Sequence, residues 1–140
     1  MTWLARLFAD TRGAAIVEFA LILPALMLFV YGIFVVGQLF QANAGMQHGL
    51  GEGARYATLC LNPSPSMGCT VPSNSQIQAR ITSTVFGVGS GTFSTPSVTT
   101  PSGCTGCRDL SVTYSMPMDF LLISGPTVTI TRSKRVYVAS

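Results

Sequence analysis

Charge is the scarce commodity in this chain. Of 140 residues, eight are Lys or Arg and five are Asp or Glu, so charged side chains make up 9%, against about 25% in ordinary soluble domains. The net charge of +3 is small and the basic residues are scattered, which excludes a nucleic-acid surface as the main business of the fold. Disorder over most of the chain is excluded as well, because disordered segments are polar and rich in charge. Histidine occurs once, as His48, so there is no histidine cluster to hold a metal, and a lone histidine on a helix is assigned no chemistry. There is no Ser/His/Asp order and no phosphate-binding glycine loop. Beyond Glu18, the acids located after residue 13 are Glu52, Asp109 and Asp119, outside any recognisable motif. Neither an enzyme nor a cofactor is expected. The length suits one domain, and the low charge implies that part of it does not live in water.

The apolar residues are concentrated. Phe19 to Val36 reads FALILPALMLFVYGIFVV, eighteen residues without a charge, and Leu39 and Phe40 extend it. A bilayer core needs about twenty mostly apolar residues as helix. Spanning helices tolerate Pro24 and Gly32 better than soluble ones do. No other segment can build a core that hides so many apolar residues on all faces. Arg6, Arg12 and the N-terminal amine precede the span against Asp10 alone, and no cation comes after it before Arg55. The positive-inside rule therefore predicts a cytoplasmic N-terminus and export of everything from about Asn43 onward. A cleaved secretory signal is the alternative, with Ala42, Ala44 and Gly45 imitating its cleavage site. Its apolar region would be only about 7–15 residues. Trp3, Leu4, Leu7 and Phe8 recur at helical spacing, so the first twelve residues are expected along the inner membrane face.

One charge is misplaced. Glu18 stands at the edge of the apolar run, where a carboxylate is costly and marks a functional candidate. A plainer reading puts it at headgroup depth, stabilised by the helix dipole. That explains its tolerance but not the Gly13-Ala14-Ala15 before it. The string Arg12-Gly13-Ala14-Ala15-Ile16-Val17-Glu18-Phe19 resembles the processing site of the type IV pilin superfamily: a short basic leader, a glycine, then a hydrophobic helix with Glu at its fifth position. The Glu-aromatic pair looks like the Tad (Flp-type) branch, although major Flp pilins usually carry Glu-Tyr. GAAIVEFALILPALMLF together with GEGARYA (Gly51 to Ala57) is similar to the TadE/TadF family of minor pilins or pseudopilins. Major Flp pilins are much shorter and TadG-like proteins far longer. The resemblance implies cleavage between Gly13 and Ala14 by a membrane aspartyl prepilin peptidase. It further implies pairing of Glu18 with the Ala14 amine of a neighbouring subunit. Partners would be that peptidase, other pilin subunits, the pilus assembly machinery and the inner membrane, with surface adhesion as the outcome.

Past Phe40, Ala42, Met46, Leu50 and Ala54 recur every four residues, so the helix is expected to continue toward Leu59. Gly45, Gly49 and Gly53 recur at the same interval. Small residues so spaced admit a close helix neighbour, and equally they loosen the stem, each costing about 1 kcal/mol against Ala. Composition changes at Cys60, and Ser, Thr, Pro and Gly dominate to Pro101. Asn62 to Ser75 reads as a loop, Gln76 to Phe86 as a helix, Phe93 to Thr100 as a weak strand. Leu110 to Met116 alternates cleanly, and Thr127 to Val138 is its expected antiparallel partner. Arg132 and Lys134 interrupt that second strand, predicting a bulge or an exposed stretch.

Four cysteines, Cys60, Cys69, Cys104 and Cys107, allow three pairings. Cys60–Cys69 and Cys104–Cys107 are favoured, each closing a short Gly-, Pro- or Ser-rich loop in an oxidising compartment. A redox C-x-x-C would sit at a helix start, and a four-cysteine zinc site would want two such knuckles. The expected architecture is α+β and pilin-like: a leader over residues 1–13, a hydrophobic helix and stem over 14–59 with the span at about 19–40, and a disulfide-stapled periplasmic head over 60–140. The reading from another class is a periplasmic enzyme or redox module on an uncleaved anchor, which has no need of Gly13 and Glu18.

Overall fold

The structure is a computed structural model that describes residues 13–64, 68–119 and 124–138. The expected amphipathic leader lies outside the described residues. Helix α1 (Ala14–Ala57) runs unbroken through Pro24. It closes at its C-terminus by tightening: the amides of Thr58 and Leu59 donate to the carbonyls of Arg55 and Tyr56 at 3.2 and 3.1 Å. The Thr58 hydroxyl adds a bond to the Arg55 carbonyl at 2.8 Å. These satisfy carbonyls that the last turn leaves without helical partners. The chain divides into two compact units, residues 1–37 and 38–140. In the first, Ile16, Leu21, Phe29 and Phe34 are all exposed. The helix is long and apolar enough to cross a membrane.

The second unit holds the remaining part of α1, a short hairpin β1 (Asn62–Ser64) and β2 (Gly68–Thr70), helix α2 (Asn74–Thr84), and strands β3 (Thr92–Phe93), β4 (Ser97–Thr99), β5 (Cys107–Pro117) and β6 (Thr127–Tyr137). Strand β5 is the centre of the sheet. It pairs antiparallel with β6 over its whole length, from Cys107 opposite Tyr137 to Pro117 opposite Thr127. A strand has two edges, so β3 and β4, which pair with Tyr114–Ser115 and Asp109–Ser111, share the other. The expected alternation holds: Leu110, Val112, Tyr114 and Met116 are buried, and the residues between them are not. In β6 the register is unbroken, so Arg132 and Lys134 produce an exposed stretch and not a bulge. On the outward face Thr113 and Thr131 share a hydroxyl hydrogen bond at 2.9 Å. Arg135 donates two bonds to the Asp109 carboxylate directly opposite, at 2.6 and 2.7 Å.

Three expectations are corrected in the segment from Asn62 to Thr100. The Asn62–Ser75 loop contains the β1–β2 hairpin, joined by Cys60 and Cys69 at its base. Helix α2 spans Asn74–Thr84 and not Gln76–Phe86. Its start is a capping box, in which the Ser73 hydroxyl accepts from the Gln76 amide and the Gln76 side chain accepts from the Ser73 amide. At its end Thr82, Ser83 and Thr84 turn their hydroxyls onto the carbonyls of Gln78 and Arg80, an alternative to continuing the helix. Val85 is then extended. Finally, the weak strand splits into β3 and β4 around Pro96, which has no amide to give a ladder.

The core forms where α1, α2 and the sheet meet. Ala42, Met46, Leu50, Ala54 and Ala57 of α1 are buried, as are Ile77 and Ile81 of α2 and the inward residues of β5. The glycine line of α1 receives α2 and the Val85–Phe86 segment beyond it. A Cβ on Gly45 would overlap the Phe86 carbonyl oxygen, one on Gly49 the Val85 Cγ2, and one on Gly53 the Ile81 Cγ1. Polar ties sit around this contact. Arg80 of α2 lies 3.7 Å from Glu52 of α1. Arg108 donates to the Pro72 carbonyl just before α2. Arg132 Nε donates to Asn43 Oδ1 at 2.6 Å.

Two outcomes are expected for stability, each measured by denaturant unfolding of the full chain in detergent. Gly45→Ala is expected to destabilise by about 1–3 kcal/mol, since backbone must move to admit the methyl. Gly51→Ala, with nothing within 4 Å, is expected to stabilise by up to about 1 kcal/mol through helix propensity. Equal effects at the two positions would refute the docking role of the glycine line. Separately, the hydrogen bonds from Arg135 hold the Asp109 carboxyl below its ordinary value. A depressed acid stabilises the fold above its unfolded value, and that contribution is lost as pH falls through the folded one. The stability gap between wild type and Asp109→Asn is therefore expected at neutral pH and should close on acidification below about pH 4.

Candidate processing and assembly segment

Helix α1 begins at Ala14, and Gly13 is the last residue before it. Gly13 is exposed, and its Cα has open space around it. Gly13 lies in a 3-10 turn that leads directly into α1. The absence of a side chain at Gly13 removes an obstacle to approach. Glu18 is the fifth helical residue, and both it and Phe19 are exposed. Among the described residues no cation forms an ion pair with Glu18. The acids of the second unit differ: Glu52 is paired with Arg55 and Arg80, Asp109 with Arg135.

The other expected site residues lie in the second unit. Gly45, Gly49 and Gly53 gather against α2 and Val85–Phe86, a contact within the chain itself. Cys60 and Cys69 stand 5.2 Å apart at Cα, and Cys104 and Cys107 5.5 Å, both distances that a disulfide spans. Cys104-Thr105-Gly106-Cys107 is a turn leading into β5, with Gly106 at φ +79°, and Cys107 is fully buried. That is not the exposed helix-start setting of a reactive cysteine. Among the described residues no three metal-ligand side chains converge. A shallow cleft of about 180 Å³ is lined by Thr82, Val85, Phe93, Pro96 and Val112 among others, with no titratable group.

Sequence reasoning missed the closing of Tyr114 over Gly91. The Tyr114 ring lies 4.8 Å from that of Phe93, and a Cβ on Gly91 would overlap its hydroxyl oxygen. The signal available was a glycine beside a short aromatic strand. His48 stacks obliquely on Phe86, ring centroids 5.8 Å apart, a packing role and no more.

Residues 13–55 match the family model described as TadE-like protein. The match begins at the glycine before α1 and ends within the last turn of that helix. No curated protein and no solved structure matches the chain.

The cysteine pairs carry their own test. Replacing Cys60 and Cys69 by Ser is expected to cost about 2–3 kcal/mol from the loop that the bond closes, and Cys104 and Cys107 somewhat less for their shorter loop. Unfolding of the full chain with and without reductant measures it. Four free thiols on labelling of exported protein would remove both staples.

Proposed function

We propose that this TadE-like chain is a minor pilin or pseudopilin of a Tad pilus. It is matured by a prepilin peptidase and acts in assembly, priming or tip formation, and hence in surface attachment. The observation that carries the reading is the coincidence at the start of α1: α-helix from Ala14, an exposed glycine immediately before it, and at the fifth helical position a carboxylate that no cation among the described residues pairs. A plain membrane anchor requires none of the three. The TadE-like match over residues 13–55 supports the same reading.

The mechanism has two steps. Hydrolysis of the Gly13–Ala14 peptide releases the leader with a carboxylate on Gly13 and leaves an amine on Ala14, protonated at neutral pH. Loss of Arg6, Asp10 and Arg12 leaves six basic and four acidic side chains. The apolar helix thereby loses its charged cytoplasmic end. In the second step the new amine pairs with Glu18 of a neighbouring subunit. Burying either charge alone in an apolar surrounding costs several kcal/mol, so only the register that matches the pair is favourable. Cleavage both frees the helix and makes a cationic partner for Glu18.

A secretory cut near Gly45 is disfavoured by the packing. It would remove Ala42 from the buried line of α1 and break the helix where Phe86 crosses it.

The mature N-terminus tests the reading in one measurement. Sequencing the membrane-extracted protein should give Ala14. Met1 would instead mean an uncleaved anchor, and a start near Gly45 a secretory signal. Gly13→Leu is expected to keep the larger mass on an immunoblot. Glu18→Ala should be cut normally yet fail to recover with assembled pili. A Gly13→Leu product at the wild-type mature mass would sink the proposal.

A further inference from the structure

The segment after α2 does not return to the sheet directly. It descends along α1. Val85 packs at Gly49 and Phe86 at Gly45, a Cβ on Gly87 would lie 3.6 Å from the Ala42 Cα, and one on Gly89 would meet the Gln38 side chain. From Gly49 to Gln38 is about 16 Å of helix at 1.5 Å per residue. The segment therefore reaches down to the last turn of the apolar run, which closes in the sequence at Leu39 and Phe40. Its apolar side chains stay uncovered when it arrives. Phe86 is 47% exposed and Val88 46%, and Phe40, on another face of α1 at the depth that Val88 reaches, is 70% exposed.

A second observation comes from β6. Arg132 and Lys134 occupy the inward parity of that strand, where its other members are apolar, and both are exposed. Arg132 is held on Asn43, less than one helical turn above Phe40. Lys134 lines a recess with Gln47 and Leu50. Among the described residues neither cation has a carboxylate partner. Val88 and Phe40 at one level, with the Arg132 and Lys134 cations above it, follow the order of a bilayer interface, acyl edge and then phosphate.

We propose that the Phe86–Gly91 segment is an interfacial membrane contact. On this assignment Val88 enters the headgroup boundary at the depth of Phe40, Phe86 lies above it among the headgroups, and Arg132 and Lys134 reach lipid phosphates. The inference rests on the proposed membrane-spanning reading of α1. It adds that the head itself touches the lipid. A single polar anchor point would leave the head free to turn on its stem, whereas a second contact fixes which of its faces looks outward before assembly. Extraction of the subunit would then have to break this contact as well as withdraw the helix.

The test uses the full chain in phospholipid vesicles, with the one native tryptophan removed as Trp3→Phe. Single tryptophans are placed by Val88→Trp, Phe40→Trp and Leu61→Trp, and each is quenched by lipids brominated high on the acyl chain. All three positions are solvent-exposed, and circular dichroism with non-reducing mobility verifies the fold. Val88→Trp is expected to be quenched nearly as strongly as Phe40→Trp, with a blue-shifted emission, while Leu61→Trp is not. Quenching at Phe40 but not at Val88 overturns this inference and leaves the membrane span standing. No quenching at Phe40 overturns the span itself. A blue shift at Val88 that depends on protein concentration and ignores brominated lipid means a second copy covers the segment, and also overturns it. Equal quenching at Leu61 would mean an unspecific collapse onto the bilayer and overturns it too.

Discussion

The fold of residues 38–140 depends on one close approach, that of α2 and the chain just after it to the bare backbone of α1 at Gly45, Gly49 and Gly53. The Phe86 carbonyl lies where any β-carbon on Gly45 would be, so the contact admits no other residue there. Its consequences extend outward. Because α2 can come this near, Ile77 and Ile81 reach the same interior as Leu110 and Val112. Because Val85 leaves the helix extended, the chain runs down α1 and then rises into β3, where Gly91 makes room for Tyr114. The glycines weaken the stem as an isolated helix by about 1 kcal/mol each. The buried surface they make possible offsets that, as tertiary packing usually does for helices.

This is also where sequence reasoning divides. The apolar span was legible because eighteen uncharged residues admit few interpretations. The buried line Ala42, Met46, Leu50 and Ala54 was legible from its four-residue spacing, and β5 from its alternation, since both patterns are set by element geometry alone. The glycine line was not, because loosening and close packing share one signature. The residues that choose between them, Ile81, Val85 and Phe86, lie some thirty to forty residues further along the chain. The β1–β2 hairpin was invisible for another reason: it is too short for alternation and is framed by a cysteine pair. The start of α2 was written in Ser73 and Gln76, but as a cap, which is read from spacing and not from hydrophobicity. The candidate site was legible only as a motif. Geometry adds that its glycine sits in the 3-10 turn at the head of α1 and that, among the described residues, no cation pairs with its glutamate.

The same helix meets two kinds of surroundings, and composition decides which. From Phe19 to Val36 its side chains are uncharged, mostly apolar and, Val35 apart, largely exposed. Such a surface has no preferred protein side and suits lipid or the like surfaces of other helices. From Ala42 onward small residues mark one stripe and Met46 and Leu50 another, and each stripe has its own partner in the head. A helix sheathed over one part of its length and bare over the other is what a subunit needs if it is to wait in a membrane and later pack among its kind.

Scarcity of charge then gives the carboxylates their meaning. Glu52 and Asp109 meet arginines in their own chain, where they tie helix to helix and strand to strand at exposed positions of modest energetic weight. Glu18 lies on the bare apolar part of α1, where a carboxylate is tolerated in water or at an interface but not in a packed bundle unless a cation comes with it. On the proposed reading that cation does not exist until the Gly13–Ala14 peptide is cut. An uncut subunit is thus kept from packing by the same residue that aligns a cut one. Maturation and register become a single electrostatic condition.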